Sequence, residues 1–171
     1  MENLRALIRD VPDFPSPGIL FRDITPLLAD PAGLALAVEF LAQPFRGKGV
    51  ESVVGIESRG FVFGAAVAQS LSAGFTLVRK PGKLPGEVRR CEFELEYGTD
   101  ALEIKADALS PGQKVIIIDD VLATGGTLAA CCELVTGLGA AILGVSILIE
   151  LSELNGRQRL PEYTTTSVLQ Y

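Results

Sequence analysis

Val115-Ile116-Ile117-Ile118-Asp119-Asp120-Val121-Leu122-Ala123-Thr124-Gly125-Gly126-Thr127 joins a run of β-branched aliphatics to an acidic pair and then to a loop of threonines and glycines. Four consecutive β-branched residues without polar alternation predict a strand covered on both faces, as in a parallel sheet flanked by helices. In such sheets ligands bind beyond the carboxyl ends of the strands, which is where Asp119 and Asp120 fall. Gly125 and Gly126 permit a tight turn and a close approach of backbone to ligand. Thr124 and Thr127 add hydroxyls beside the free N–H groups of a helix predicted to begin near Thr127, so the loop reads as an anion cradle suited to a phosphate. A ligand seated there presents its next atoms to the two carboxylates, and a ribose with vicinal hydroxyls fits them. The competing reading, an Asp pair holding Mg²⁺ beside a nucleotide, requires a Walker A loop. No G-x-x-x-x-G-K-[ST] occurs, Gly55 to Gly60 has the spacing but continues into Phe61, and no G-x-G-x-x-G follows a predicted strand.

Composition bounds what surrounds this element. A chain of 171 residues with 48% hydrophobic content is long enough for one α/β domain spanning residues 1–171 with a sizeable core. The longest apolar run, around Ala140 to Ile149, is shorter than the ~18 residues of a membrane span, and the N-terminus lacks a signal-peptide core. A soluble, cytoplasmic protein is therefore expected, with no membrane partner. Three cysteines, two of them adjacent at Cys131 and Cys132, suit reduced core thiols better than a disulfide framework. With no histidine, a Cys–His nucleophile is excluded and a metal site argued against, and acid–base work falls to carboxylates, Lys, Tyr or Cys. The net charge of −6 argues against nucleic acid as a partner. Locally the balance reverses: from Arg79 to Arg90 five basic residues (Arg79, Lys80, Lys83, Arg89, Arg90) face one acid, Glu87. A basic patch on an acidic protein points to a small polyanion.

Outward from the motif, Leu4, Leu7 and Ile8 predict a short N-terminal helix. The three prolines between Val11 and Gly18 impose an extended path leading to Leu20-Phe21-Arg22, a loop whose aromatic ring can cover a flat heterocycle. Asp30-Pro31 predicts an N-cap and first helical position, with a helix to about Phe45 and a core stripe of Leu34, Val38 and Leu41. Ser52 to Ile56 predicts a central strand, followed by Glu57-Ser58-Arg59-Gly60 and an Ala-rich helix to about Leu71. This repeats the strand–polar turn–helix construction of the main motif and offers Arg59 and backbone N–H groups to a second anion. Phe75 to Val78 predicts a strand running into the basic loop. Cys91, Phe93, Leu95 and Tyr97 then alternate with Glu92, Glu94 and Glu96, and Leu102 and Ile104 alternate again after a turn at Gly98-Thr99-Asp100: an antiparallel hairpin. Periodicity alone leaves the three glutamates equivalent. The helix after the motif is expected to reach about Leu138, and Ile142 to Ile149 predicts another buried strand.

The thirteen-residue motif resembles the phosphoribosyl-pyrophosphate (PRPP) motif of the type I phosphoribosyltransferases. From about Val11 to Tyr171 the chain is similar to the bacterial adenine phosphoribosyltransferases of that family. The similarity rests on Asp13-Phe14-Pro15 to Gly18, Phe21-Arg22-Asp23-Ile24, Ser58-Arg59-Gly60-Phe61, Arg79-Lys80 with Gly82-Lys83-Leu84-Pro85, Leu95-Glu96-Tyr97-Gly98, the PRPP motif and Leu169-Gln170-Tyr171. The resemblance implies a parallel sheet with flanking helices, a small N-terminal hood and a mobile hairpin loop. It implies purine salvage, adenine plus PRPP giving AMP and pyrophosphate with Mg²⁺ bound through PRPP rather than by protein ligands, in a homodimer. Carried over, Asp119 and Asp120 take the ribose hydroxyls, and Ala123, Thr124, Gly125, Gly126 and Thr127 the 5′-phosphate. Ser58, Arg59, Arg79 and Lys83 serve the phosphate groups, Leu20, Phe21 and Arg22 the adenine, and Glu96 is the catalytic carboxylate. A non-proline cis peptide is implied at Glu57–Ser58 or Ser58–Arg59. Glu57 stands where the family often has Asp, and Phe93 where it often has Tyr. Two other readings stay open on the sequence: transfer to another base such as xanthine, and a regulator that senses PRPP without catalysis.

Overall fold

The computed structural model describes residues 2–95 and 98–171. In chain order its elements are α1 (Glu2–Arg5), β1 (Arg9–Val11), β2 (Phe21–Asp23), α2 (Thr25–Ala29), α3 (Pro31–Ala42), β3 (Ser52–Ile56), α4 (Arg59–Leu71), β4 (Gly74–Arg79), β5 (Val88–Leu95), β6 (Gly98–Lys105), β7 (Lys114–Leu122), α5 (Gly126–Gly137), β8 (Ala141–Glu150) and β9 (Thr165–Gln170). Short 3₁₀ turns occupy Gln43–Phe45, Ser152–Leu154 and Gly156–Arg159. Among the described residues, the sheet runs β5-β6-β4-β3-β7-β8-β9, and β1 and β2 make a separate antiparallel ribbon. Strands β4, β3, β7, β8 and β9 are parallel. β6 and β5 extend the β4 edge antiparallel.

The aliphatic run of β7 serves two cores at once. Val115 and Ile117 pack into the core that contains the buried face of α5, while Ile116 and Ile118 pack into the one shared with α3 and α4. The same period of two divides Val54 and Ile56 from Val53 in β3, and Val145 and Ile147 from Leu148 in β8. Each such side chain contributes about 1.5–3 kcal/mol by leaving water, and this is why the central strands carry no polar alternation. Cys91, Cys131 and Cys132 are free and buried, packing as small apolar groups. Among the described residues no helix is long and apolar enough to cross a membrane.

Most predicted elements form within a residue or two of their expected ends, and four details differ. The N-terminal helix stops at Arg5, and Leu7 reaches the core from the turn beyond it. Leu7 lies over Gly33, where an added Cβ would meet its Cδ1 at 2.5 Å. This turns α3 so that Gly33, Ala37 and Leu41 form the buried line, with Leu34 and Val38 flanking it half-buried. Asp30 caps α3 as expected, accepting from the Gly33 N–H at 2.6 Å. Phe21–Asp23 is a strand rather than a loop, pairing with Arg9–Val11 to form the hood. Gly98-Thr99-Asp100 is not a turn but the start of β6, because Leu95 already pairs with Gly98.

Connectivity sets the site. β3 passes through α4 to β4 on one side, and β7 passes through α5 to β8 on the other, with the two helices in different cores. Strand order therefore reverses between the neighbours β3 and β7, and the crevice at such a reversal is where α/β sheets hold ligands.

Candidate active site

Two loops meet in that crevice. After β3 come Glu57 and Ser58, joined by a cis peptide bond, and α4 begins at Arg59. After β7 come Ala123, Thr124 and Gly125, with Gly125 at φ +83°, and α5 begins at Gly126. Neither helix has a side-chain cap, in contrast to α3. Their first N–H groups are thus left for an anion. Gly60 brings the two loops together: a Cβ there would lie 2.8 Å from Asp119 Oδ1 and 3.1 Å from the Ile118 carbonyl.

A polar cavity of about 270 Å³ lies between the loops, lined by Glu57, Ser58, Arg59, Lys80, Asp119, Asp120, Val121, Leu122, Ala123, Thr124, Gly125, Thr127 and Leu128. Asp119 and Asp120 are both buried. Burial pushes both carboxyls above the ordinary aspartate range; the charge of Asp120 raises Asp119 further, while Arg59 opposes the rise at Asp120. Arg59 Nε lies 2.9 Å from Asp120 Oδ2, and the Asp120 N–H donates to Asp119 Oδ1 at 2.9 Å. A pair held this way gains from donors such as a vicinal diol, which stabilise its ionised form.

Beside it is a smaller, largely apolar slot of about 130 Å³, lined by Ile19, Leu20, Phe21, Arg22, Arg59, Asp120, Val121, Ala123, Ile149 and Leu151. Four residues, Arg59, Asp120, Val121 and Ala123, border both spaces. The Arg59 guanidinium lies 5.1 Å from the Phe21 ring centroid, and Phe14 braces that ring edge-on at 5.1 Å. Arg22 is bonded to Asp10 and rests on Tyr171, with 4.0 Å between guanidinium carbon and ring centroid.

Glu57 collects the basic stretch. Its carboxylate accepts from Lys83 Nζ at 2.6 Å, the Lys80 backbone N–H at 2.9 Å and Arg79 Nε at 3.2 Å. These donors outweigh the opposing effect of burial and hold its pKa at about 2, down from 4.5. A carboxylate whose folded pKa is depressed contributes stability that is complete above about 4.5 and is lost as pH falls toward 2. Glu57→Gln is therefore expected to lower the melting temperature at neutral pH and to flatten its fall between those pH values, as read by circular dichroism. A wild-type slope retained in the variant would show that Glu57 carries none of it.

Of the residues singled out in the sequence, Ser58, Arg59, Asp119, Asp120, Ala123, Thr124, Gly125 and Thr127 line the polar cavity, and Leu20, Phe21 and Arg22 the apolar slot. Gly126 opens α5 and is buried, in contact range of Phe93 and the Glu94 carbonyl of β5. Arg79 and Lys83 sit one layer back, on Glu57. Glu96 lies outside the described residues. Glu92 and Glu94 are exposed. Sequence reasoning named Lys80 in the basic stretch without giving it a site role; it lines the cavity and pairs with Asp100. That reasoning missed Glu57 as a hub and the slot residues Val121, Ile149 and Leu151.

Residues 24–170 match the phosphoribosyl transferase domain family. An adenine phosphoribosyltransferase of Nitrosococcus oceani is 54% identical over 171 residues, covering 100% of both chains. The crystal structure of adenine phosphoribosyltransferase from Rhodothermus marinus superposes with a TM-score of 0.95 at 51% identity, covering 99% of this chain and 97% of that one. The Saccharomyces cerevisiae enzyme, complexed with an imino-altritol bisphosphate and adenine, gives 0.93 at 40% identity, covering 98% and 97%.

Proposed function

We propose, from the premise that this chain belongs to the phosphoribosyl transferase domain family, that it is a purine-salvage transferase moving the 5-phosphoribosyl group of PRPP to adenine, with release of pyrophosphate and formation of AMP. The observation that carries the reading is the pair of adjoining spaces with four shared lining residues. An apolar slot adjoining a polar, acid-and-arginine cavity is what a purine bonded to a phosphorylated ribose requires.

The proposed roles follow from placement. Phe21 stacks on adenine between Leu20 and Arg22. Asp119 and Asp120 accept from the 2′ and 3′ hydroxyls. The Ala123 to Thr127 loop and the uncapped start of α5 hold the 5′-phosphate. Ser58 and Arg59 hold pyrophosphate, and Arg79 and Lys83 lie within reach of Glu57 at the cavity rim to be drawn onto it. During transfer the purine nitrogen forms its bond to ribosyl C1 as the C1–O bond to pyrophosphate breaks, and the ring proton passes to a base, a role the resemblance gives to Glu96. Charge on C1 and on the leaving group grows together, so fixed charges beside both are worth most at that point. Asp119, Asp120 and Glu57, the carboxylates that line the polar cavity, would sit beside a Mg²⁺ brought in on PRPP, and the ion would supply charge neutralisation for the departing pyrophosphate. Closure of the β5–β6 hairpin would exclude water, the competing nucleophile.

Incubation of the chain with PRPP, Mg²⁺ and each of adenine, hypoxanthine, guanine, xanthine and orotate is expected to release pyrophosphate with adenine at least about a hundredfold faster than with the others. Equal or greater rates with an oxopurine would overturn the substrate assignment, and no turnover with any base would favour the regulator. Phe21→Ala is expected to raise KM for adenine by about fivefold to tenfold, the worth of one aromatic stack, with a smaller change for PRPP; equal changes for both would remove Phe21 from the base slot.

The same reading covers residues 1–171 as one phosphoribosyltransferase domain, in the cytoplasm, where three unpaired buried thiols are at home. It makes the chain a homodimer: Val62 of α4 and Leu77 of β4 expose apolar area that a second copy would cover. Sedimentation equilibrium at twice the chain mass is the expected result, and a monomer at micromolar concentration would remove that assignment.

A further inference from the structure

Two glycines far apart in sequence cross with their backbones in contact. A Cβ on Gly156 would meet the Ala123 carbonyl oxygen at 2.1 Å, Leu122 Cδ1 at 2.8 Å and the Gly125 nitrogen at 2.9 Å; one on Gly125 would meet the Gly156 carbonyl oxygen at 2.3 Å. Most of these obstacles are backbone atoms, which cannot rotate aside as a side chain can. Gly156 is buried, and it is not among the residues that line the cavity. It touches both the entry and the exit of Ala123–Thr124–Gly125, the loop assigned above to the 5′-phosphate.

The turn that carries Gly156 is tied down by its neighbour. Arg157 donates to Glu150 through Nε at 2.9 Å and a terminal nitrogen at 2.5 Å, a two-pronged pair, and to the Thr165 carbonyl. Ser167 Oγ donates to the same carboxylate at 2.6 Å. Glu150 ends β8 in register with Leu122, the last residue of β7 before the loop. The wall behind the loop is thus fastened to β9 and to the end of β8, the strand paired with β7 from which the loop springs, and a planar fork on a carboxylate fixes orientation as well as distance.

We propose that Gly156, anchored by the Glu150–Arg157 pair, is a positioning residue that sets the height of the Ala123–Gly125 loop and with it the grip on the 5′-phosphate of PRPP and AMP. The inference rests on the phosphate-loop assignment made above. Several N–H groups must aim at one phosphate, so a displacement of about 1 Å is expensive even though Gly156 itself touches no ligand.

Binding of AMP and of adenosine to the full chain, measured by calorimetry, separates this role from general damage, because the two ligands differ only in the 5′-phosphate. Gly156→Ala is expected to weaken AMP about tenfold or more while adenosine changes by less than about twofold, and to raise KM for PRPP by more than it lowers kcat. Arg157→Lys keeps the charge but loses the fork, and it is expected to shift the AMP-to-adenosine ratio in the same direction by a smaller factor. Equal weakening of both ligands, or an unchanged ratio in both variants, overturns the proposal. If Gly156→Ala does not fold, the ratio in Arg157→Lys decides alone. A wild-type chain that binds AMP no more tightly than adenosine overturns the phosphate-loop assignment itself, and the inference falls with it.

Discussion

The double variant Asp119→Asn, Asp120→Asn is expected to bind PRPP about a hundredfold more weakly than the wild-type chain while keeping its fold. Two hydroxyl-to-carboxylate hydrogen bonds together contribute roughly 3–6 kcal/mol, and amides, as neutral acceptors, retain about half of that. The remaining loss converts to about tenfold to a hundredfold in affinity, and the Arg59 guanidinium, deprived of Asp120 at 2.9 Å, adds to it by leaving its position at the mouth of both spaces. The fold is expected to survive because the carboxyls are already held above their ordinary range by burial. Asn fills nearly the same volume without a charge to desolvate. Titration calorimetry with PRPP and a thermal melt on the same sample are the two measurements. Unaltered affinity would mean that the acidic pair does not hold ribose; a melting temperature collapsing together with affinity would mean that the pair is structural.

What the sequence disclosed and what it hid divide along a physical line. The motif from Val115 to Thr127 was legible because each part has a local cause: β-branched residues for a doubly covered strand, glycines for the turn, threonines and a helix start for the anion. The construction from Ser52 to Arg59 was legible for the same reason, and the strand order then brings both loops to one crevice. Contacts made between distant segments left no such local trace. Ile149 and Leu151 line the base slot only because β8 lies next to β7, and in the sequence they are two more aliphatics at a strand end. Nothing local marks Gly156, since its partner Gly125 is closed onto it by the fold alone.

Charge shows a different gap between sequence and structure. The run from Arg79 to Arg90 stood out as a basic patch awaiting a polyanion, yet Arg79 and Lys83 are bound to Glu57 and Lys80 to Asp100. These three cations have counterions from the loop after β3 and from β6, and net charge along a sequence window does not register acids contributed across a sheet. This arrangement has a functional sense under the proposed reaction. Lys83 parked on a carboxylate at the cavity rim is available to a pyrophosphate that offers more charge, at the cost of one exchange of partners rather than of desolvating a bare ammonium. The pattern of burial did follow periodicity where side chains alternate: Cys91 is buried and Phe93 half-buried against α5, while Glu92 and Glu94 are exposed, Glu92 paired with Arg90 at 2.9 Å.

Glu92, Glu94 and Glu96 are where sequence pattern and resemblance diverge most, and the largest kinetic effect is expected there. Alternation gives Glu92, Glu94 and Glu96 one face and no distinction, whereas the resemblance assigns catalysis to Glu96 alone. The Glu94 carbonyl and Phe93 lie against Gly126 at the start of α5, beside the loop assigned to the 5′-phosphate. A positioned acid or base contributes about 10²–10⁴-fold in rate. Glu96→Gln is therefore expected to lower kcat by at least about a hundredfold with little change in PRPP binding, because the lost group acts on the proton of the purine in the transition state and not on the ground-state complex. Glu92→Gln and Glu94→Gln are expected to cost less than about tenfold each, as substitutions on an exposed strand face. Steady-state kinetics on the three variants, with PRPP affinity measured separately, distinguishes the outcomes. Small and similar effects in all three would reduce the hairpin to a lid, and catalysis would then rest on positioning and on leaving-group stabilisation by Arg59, Lys83 and Mg²⁺.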